Sequence, residues 1–303
     1  MSYETDALLD RRRLKRRLRV WQAITLLVLV AAVLAYLQAQ GTLLRGERIV
    51  RIQIEGVIVR DEARSRLLAR LAEEDDVRGV IVHIDSPGGS VVGGEDLYNS
   101  LRAIAQAKPV ATVMGTVATS AAYMTAIATD RVFAREGTIT GSIGVILQTA
   151  NVSDLLDRIG VEPVTIKSSE LKGVPSPVEP LTPEGRAVTE QVVLDLYDFF
   201  VDLVTDRRPI DTEAVRRLAD GRVFSGRQAV ENNLIDAIGD EAAVIDWMVR
   251  ERNVPGGLPV ESVRTNADSD SFLEKITGLA GKSLFSNALT LDGLVSLWQP
   301  SAR

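Results

Sequence analysis

"GVIVHIDSPGGSVVGG", residues 79–94, starts as an aliphatic run and ends in two glycine pairs. Directly after it, "EDLYNSLRAIAQA" (95–107) places Leu97, Leu101 and Ile104 on one face at helical spacing, and "PVATVMG" (109–115) is apolar again. Strand, glycine-rich turn, helix and strand within some forty residues predict an α/β fold. The pattern extends both ways. Upstream, "RIVRIQIEGVIV" (48–59) predicts a strand and "DEARSRLLARLAEE" (61–74) a helix. Downstream, "RVFARE" (131–136) and "TITGSIGVI" (138–146) read as strands, "SDLLDRIG" (153–160) as a short helix capped by Ser153, and "VTIKS" (164–168) as a strand. The proline-rich "KGVPSPVEPLTP" (172–183) leads into a long helix from Pro183 to Arg207, with Thr182 as its N-cap. Two or three further helices close a domain spanning 48–253. A tail, 254–303, contains linker-like "PGG" and "NADSDS" and then "LFSNALTLDGLVSLW" (284–298), an apolar segment that needs a partner surface.

Composition removes several chemistries. The chain of 303 residues has no Cys and a single His, His83, which excludes thiol catalysis, disulfides and His-rich metal sites; no metal or cofactor is expected. His83 lies between Val82 and Ile84 and reads as a packed strand residue. Residues 1–19 carry a net charge of +4 against −6 for the whole chain, so the remainder is about −10 and nucleic acid is not an expected partner. The basic block "RRRLKRRLR" (11–19) precedes "VWQAITLLVLVAAVLAYL" (20–37), which has no charged residue. At about 1.5 Å per residue such a helix reaches ~27 Å, near the thickness of a bilayer's hydrocarbon core. The expected organisation is a basic cytoplasmic segment (1–19), a single transmembrane anchor (20–38), a linker (39–47) and a body held outside the cytoplasm, the Arg-rich flank setting the orientation. A cleaved signal peptide, a nucleic-acid-binding arm and a buried core helix are the competing readings of this stretch; no clear A-x-A site precedes "QAQGTLLRG".

Some motif matches fail on spacing. "GLAGKS" (278–283) lacks the first P-loop glycine, whose place is taken by Ile276. No G-x-S-x-G surrounds a serine. "SELK" (169–172) fits S-x-x-K, but neither K-T-G nor S-D-N follows it.

Two junctions remain. In "DSPGGS" (85–90), Gly88 and Gly89 allow backbone N–H groups to approach an oxyanion closely, although an ordinary βα turn has the same look. In "VATSAAYM" (117–124), Ser120 stands where a strand gives way to a helix, flanked by Ala118, Ala121 and Ala122; it is either a nucleophile or a helix cap. With thiols absent and one buried-looking imidazole, the base for a serine narrows to Lys, Asp or Glu. Beyond the anchor the lysines are Lys108, Lys167, Lys172, Lys275 and Lys282. Lys172 lies in an apolar, proline-bordered loop where desolvation favours the neutral amine, giving a Ser/Lys dyad as the hypothesis. Peptide cleavage through that dyad predicts activity that rises from acid toward alkaline pH; a rate profile peaking in acid would point to a carboxylate instead.

On these residues the sequence, over roughly 48–250, resembles the signal peptide peptidase A family of membrane-anchored serine proteases, within the Clp-protease and crotonase-like superfamily. The resemblance implies a spiral of β-β-α units and maps the nucleophile to Ser120 in "VATSAAYM". It maps the general base to Lys172 in "IKSSELKGVPSP", and a serine that orients the lysine to Ser142 in "TGSIGVI". The oxyanion hole then consists of N–H groups of Gly88 or Gly89 and Ala121. "DGRVFSGRQAVENNLIDAIG" (220–239) is similar to the family's closing helices. Ala121 and Ala122 stand where the family often has Gly-Gly, which bears on pocket width and removes no catalytic group. The implied activity is digestion of leftover signal peptides and other membrane-derived peptides. The implied assembly is a homo-oligomeric ring in which one subunit's lysine serves its neighbour's serine. A crotonase-like acyl-CoA enzyme and an inactive membrane scaffold are the alternatives; the anchor and Lys172 count against the first, and the Ser120, Ser142 and Lys172 set against the second.

Overall fold

The computed structural model describes residues 17–33, 46–263 and 294–297, in two units divided after Glu47. The first contains helix α1 (17–33), whose side chains are exposed throughout. Among the described residues no helix is long and apolar enough to cross a membrane; positions 34–38 of the expected anchor, residues 1–16 before it and most of the linker lie outside the described residues.

In the second unit the chain runs β1 (Arg48–Ile58), α2 (Glu62–Glu73), β2 (Val77–Ser90), α3 (Val91–Ala107), β3 (Val110–Thr119), α4 (Ala121–Ile127), β4 (Arg131–Ala134), β5 (Ile139–Gly141), β6 (Ile146–Leu147) and α5 (Ser153–Arg158). It continues through α6 (Pro183–Arg207), α7 (Thr212–Leu218), β7 (Val223–Ser225), α8 (Gly226–Glu231), β8 (Ala237–Ile238), α9 (Glu241–Arg252), β9 (Val260–Val263) and β10 (Leu294–Leu297). Among the described residues the ten strands join one sheet, and β1, β2, β3 and β4 pair in parallel in that order. Parallel strands are buried on both faces. Val80, Val82 and Ile84 of β2 accordingly pack with Leu68 and Leu71 of α2 and Leu97, Leu101 and Ile104 of α3. The alternate residue Ile81, with Val113 and Phe133, meets Val244, Trp247 and Met248 of α9 on the other face. Each fully buried aliphatic side chain contributes about 1.5–3 kcal/mol.

The helix starts follow from short polar side chains accepting orphan N–H groups. Asp61 accepts from Ala63 and Arg64, Thr182 from Gly185 at the start of α6 as the sequence predicts, and Ser225 with Gln228 forms a capping box on α8. At the other end of α2, the Lys108 ammonium donates to the Leu71 and Glu74 carbonyls at 2.7 Å each.

Four local expectations change. Helix α3 begins at Val91 rather than Glu95, because Ser90 Oγ accepts from the Gly93 N–H at 3.1 Å and draws both glycines into the first turn. "TITGSIGVI" divides into β5 and β6, since Gly141 (φ +81°) and Ser142 (φ +49°) turn the chain between them. The cap of α5 falls on Val152; Ser153 is its first residue, and the Asn151 side chain accepts from both the N–H and the hydroxyl of Ser153. Residues 164–168 form no strand: Val164 and Ile166 are 82% and 95% exposed, and an apolar segment without a partner edge has nothing to pair with. Past Asn253, β9 pairs in parallel with β1, so the sheet continues into the tail.

Candidate active site

The glycines of "SPGGS" lie in the sheet itself. β2 runs straight through them to Ser90, and on one edge Val57 and Ile58 of β1 pair with Gly88 and Gly89. A Cβ on Gly89 would lie 1.8 Å from the Ile58 carbonyl oxygen, so only glycine lets the strands meet there. We expect Gly89→Ala to cost at least ~2 kcal/mol, read as a fall in the thermal midpoint, because the obstacle is backbone. Gly88 has φ +106°, and its N–H donates to Ser86 Oγ at 3.1 Å. On the other edge, β3 accompanies β2 only as far as the pair Ser86–Ala118 and then turns away at Ser120. Beyond that point the edge of β2 is taken by β10, antiparallel, with Leu297, Ser296 and Val295 opposite Gly88, Gly89 and Ser90.

Ser120 occupies the N-cap position of α4 without acting as a cap. Its side chain makes no capping hydrogen bond, and its φ and ψ are 59° and −123° where a cap adopts extended backbone. Positive φ with that ψ lies outside even the left-handed helical well, a conformation that costs a non-glycine residue about 1–3 kcal/mol and persists only when its surroundings impose it. Here they do. The Ser120 N–H donates to Gly141 O and its carbonyl accepts from Met124, at 2.8 and 2.9 Å. Thr119 Oγ1 donates to Pro87 O at 3.0 Å and Thr140 Oγ1 to Ala118 O at 2.7 Å, fastening β2, β3 and β5 around the corner. Every residue of α4 is buried, and Ala121 fits because its neighbour Gly94 has no side chain: a Cβ there would come within 3.1 Å of Ala121 Cβ. At the far end of α4, Arg207 of α6 donates from Nε to Ile127 O and from a terminal nitrogen to Thr129 O, both at 2.9 Å. Burial lowers the Arg207 pKa, with Arg102 adding to the effect. We expect Arg207→Met to lower stability by about 2–4 kcal/mol, since two charge-assisted bonds go and two carbonyls lose their donor; thermal unfolding measures it.

Ser142 joins this corner through the backbone. Its own N–H donates to Arg222 O at 2.8 Å, and the Gly141 carbonyl just before it is the one that holds Ser120. Fully buried Tyr123 supports α4 from below, its hydroxyl donating to Leu234 O at 2.8 Å and kept protonated by burial. Lys172 is placed differently. It is exposed, its backbone N–H donates to Ser169 O at 3.1 Å, and its side chain makes no hydrogen bond or ion pair with a described residue. The fold of one chain thus assembles Ser120, Ser142, Gly88, Gly89 and Ala121, and leaves Lys172 on an open face. His83 pairs with Val113, seven residues before Ser120, and is half-buried in a small cavity beside Arg135, Asp240 and Glu241. No metal-binding cluster of acidic or imidazole groups occurs among the described residues.

No motif or spacing in the sequence marks Thr119, Thr140, Ser86 or Arg207 as part of the site. Thr119 adjoins the serine, but its contact is with Pro87 in a separate strand, and nothing local signals it.

A strained serine thus stands at the end of a sheet, next to a strand edge paired with an extended stretch of chain. Residues 102–255 match the model of peptidase family S49, and residues 38–140 that of Clp protease. A protein of Enterococcus faecium provisionally named signal peptide peptidase SppA is 34% identical over 230 residues, 71% of this chain and 67% of that one. A provisionally named protease of Synechocystis sp. is 33% identical over 235 residues, 77% and 83% of the two chains. Among solved structures, a ClpP1 mutant from Listeria monocytogenes covers 64% of this chain and 92% of its own, at 15% identity and a TM-score of 0.44. The chain belongs to peptidase family S49.

Proposed function

We propose that this chain is a membrane-anchored serine endopeptidase that cleaves residual signal peptides and other membrane-derived peptides outside the cytoplasm through a Ser120–Lys172 dyad. The observation that carries the reading is the backbone of Ser120, held at φ 59° on a corner its neighbours over-determine. In the reaction the neutral Lys172 amine takes the Ser120 Oγ proton as Oγ attacks the peptide carbonyl. N–H groups of Gly88 or Gly89 and of Ala121 stabilise the oxyanion, the protonated lysine passes its proton to the leaving amine, and water hydrolyses the acyl-enzyme. Ser142 orients the lysine. For Gly88 to serve, the Ser86 hydroxyl must release its N–H. The test is covalent labelling by a serine-reactive peptide probe, which is expected at Ser120 with Lys172 present and to be largely lost in Lys172→Ala; labelling elsewhere overturns the assignment.

The base comes from a neighbouring subunit. The exposure of Lys172 supports this, as do the exposed Leu155, Ile159, Val164 and Ile166 in the same stretch, an apolar face that a second copy of the chain would cover. The anchor is residues 20–38. Its support is the uncharged run 20–37, of which α1 holds the first part, behind the basic block. Protease added outside intact spheroplasts is expected to digest the body after Leu37; a protected body would reverse the orientation.

A further inference from the structure

Strands β2 and β3 hold one parallel register as far as the pair Ile84–Met114 and pair again at Ser86–Ala118. Between those pairs β2 has one residue, Asp85, and β3 has three, Gly115, Thr116 and Val117. The two extra residues form a bulge, and their number matters. A single extra residue would turn every later side chain of β3 to the other face. Two keep Ala118 on the face of Met114, and both belong to the same core cluster. At the bulge β3 also changes the neighbour on its far edge, from β4 along Ala111–Val113 to β5 along Val117–Thr119. It is β5 that supplies the Gly141 carbonyl for the Ser120 N–H.

A bulge leaves N–H groups with no strand carbonyl opposite them. Here the Asp85 carboxylate takes them. The Thr116 N–H donates to Oδ2 at 3.3 Å and the Val117 N–H to Oδ1 at 3.1 Å. The carboxylate lies against Gly115, where a Cβ would come within 2.8 Å of Oδ2. Buried Thr138 holds the other side of the same residue, donating from Oγ1 to the Gly115 carbonyl at 2.7 Å and accepting from the Arg135 N–H at 3.0 Å. After Val117 only Ala118 and Thr119 precede Ser120, and the bonds from Thr140 and to Pro87 fasten both. A shift in the bulge therefore passes to the serine.

We infer that Asp85 is a positioning residue for the nucleophile: its carboxylate fixes the two-residue bulge of β3 and so drives Ser120 into its strained turn. What the serine does rests on the peptidase reading; its strain does not. Two magnitudes separate positioning from plain support. Asp85 is exposed, so water can take over both N–H groups and stability changes little. A nucleophile displaced by about 1 Å loses ~10²-fold in rate.

Asp85→Ala, Asp85→Asn and Gly115→Ala, each made with Ser120 and with Ser120→Gly, test it. With Ser120 in place, Asp85→Ala and Gly115→Ala, whose methyl displaces the carboxylate, are expected to lower kcat about 10²-fold with KM within about threefold. Asp85→Asn keeps one acceptor oxygen and is expected to lose only about tenfold. The second readout needs no activity. Ser120→Gly relieves the strain and is expected to raise the thermal midpoint by about 2–4 °C in the otherwise unaltered chain, and by half of that or less beside Asp85→Ala, where the corner has relaxed. An equal gain in both backgrounds, or none in either, overturns the inference. So does a kcat within threefold of wild type in Asp85→Ala, or a loss confined to KM. Should Asp85→Ala fail to fold, Asp85→Asn carries both comparisons. A diminished gain with no cleavage by any form, wild type included, keeps Asp85 as the source of the strain and rejects the serine peptidase instead.

Discussion

Ser120→Ala is expected to lower peptide cleavage at least ~10³-fold, and Lys172→Ala to do the same, because a nucleophile and its base act as one unit and losing either forfeits most of what both supply. Ser169→Ala, beside the S-x-x-K lysine, is expected to retain activity. If the Ser169 variant is dead and the Ser120 variant active, the roles are misassigned. A third substitution separates function from structure at the same position. With φ at 59° and ψ at −123°, Ser120 pays for its Cβ in strain that glycine does not feel. Ser120→Gly is therefore expected to abolish cleavage and yet gain about 1 kcal/mol in stability, seen as a higher thermal or denaturant midpoint. A side chain whose only task was structural would give the opposite result, since removing it would destabilise the corner.

The strands and helices of the sheet's centre were legible because their period is enforced by burial on both faces. Val80, Val82 and Ile84 could face α3 only if the chain around them was extended, and Leu97, Leu101 and Ile104 could meet them only from a helix. Ser120 was legible as a junction, from the change of pattern on either side, but its strain was not: the torsions come from Gly141, Thr140 and Met124, whose contacts no spacing encodes. Residues 164–168 misled for a related reason. β-prone residues specify a strand only where an edge awaits them, and within one chain Ile166 finds none. The tail reversed that error. Residues 284–298 read as an apolar segment in search of a surface, and for Leu294–Leu297 that surface is the edge of β2 that β3 leaves after Ala118, just over two hundred residues earlier.

Coexpressing the Ser120→Ala and Lys172→Ala chains is expected to restore a substantial part of wild-type cleavage. The fold of one chain leaves Lys172 exposed with its side chain bonded to no described residue, while Ser120 is buried to 1% exposure in the corner that would use it. A base delivered across a heterologous contact repeats around a closed ring, each subunit giving its lysine to the next. In a ring mixed at random, a junction works when the serine donor is the Lys172→Ala chain and the lysine donor is the Ser120→Ala chain. Each condition holds half the time, so about a quarter of the junctions carry an intact dyad. Dyads formed within single chains are never restored by mixing, because every chain present lacks one member. Activity near a quarter of wild type in rings shown to contain both chains therefore requires a shared site. Complete inactivity in such rings would require instead that the 161–178 segment refold toward its own serine, carrying Lys172 inward and covering Val164 and Ile166 with its own body rather than a neighbour's.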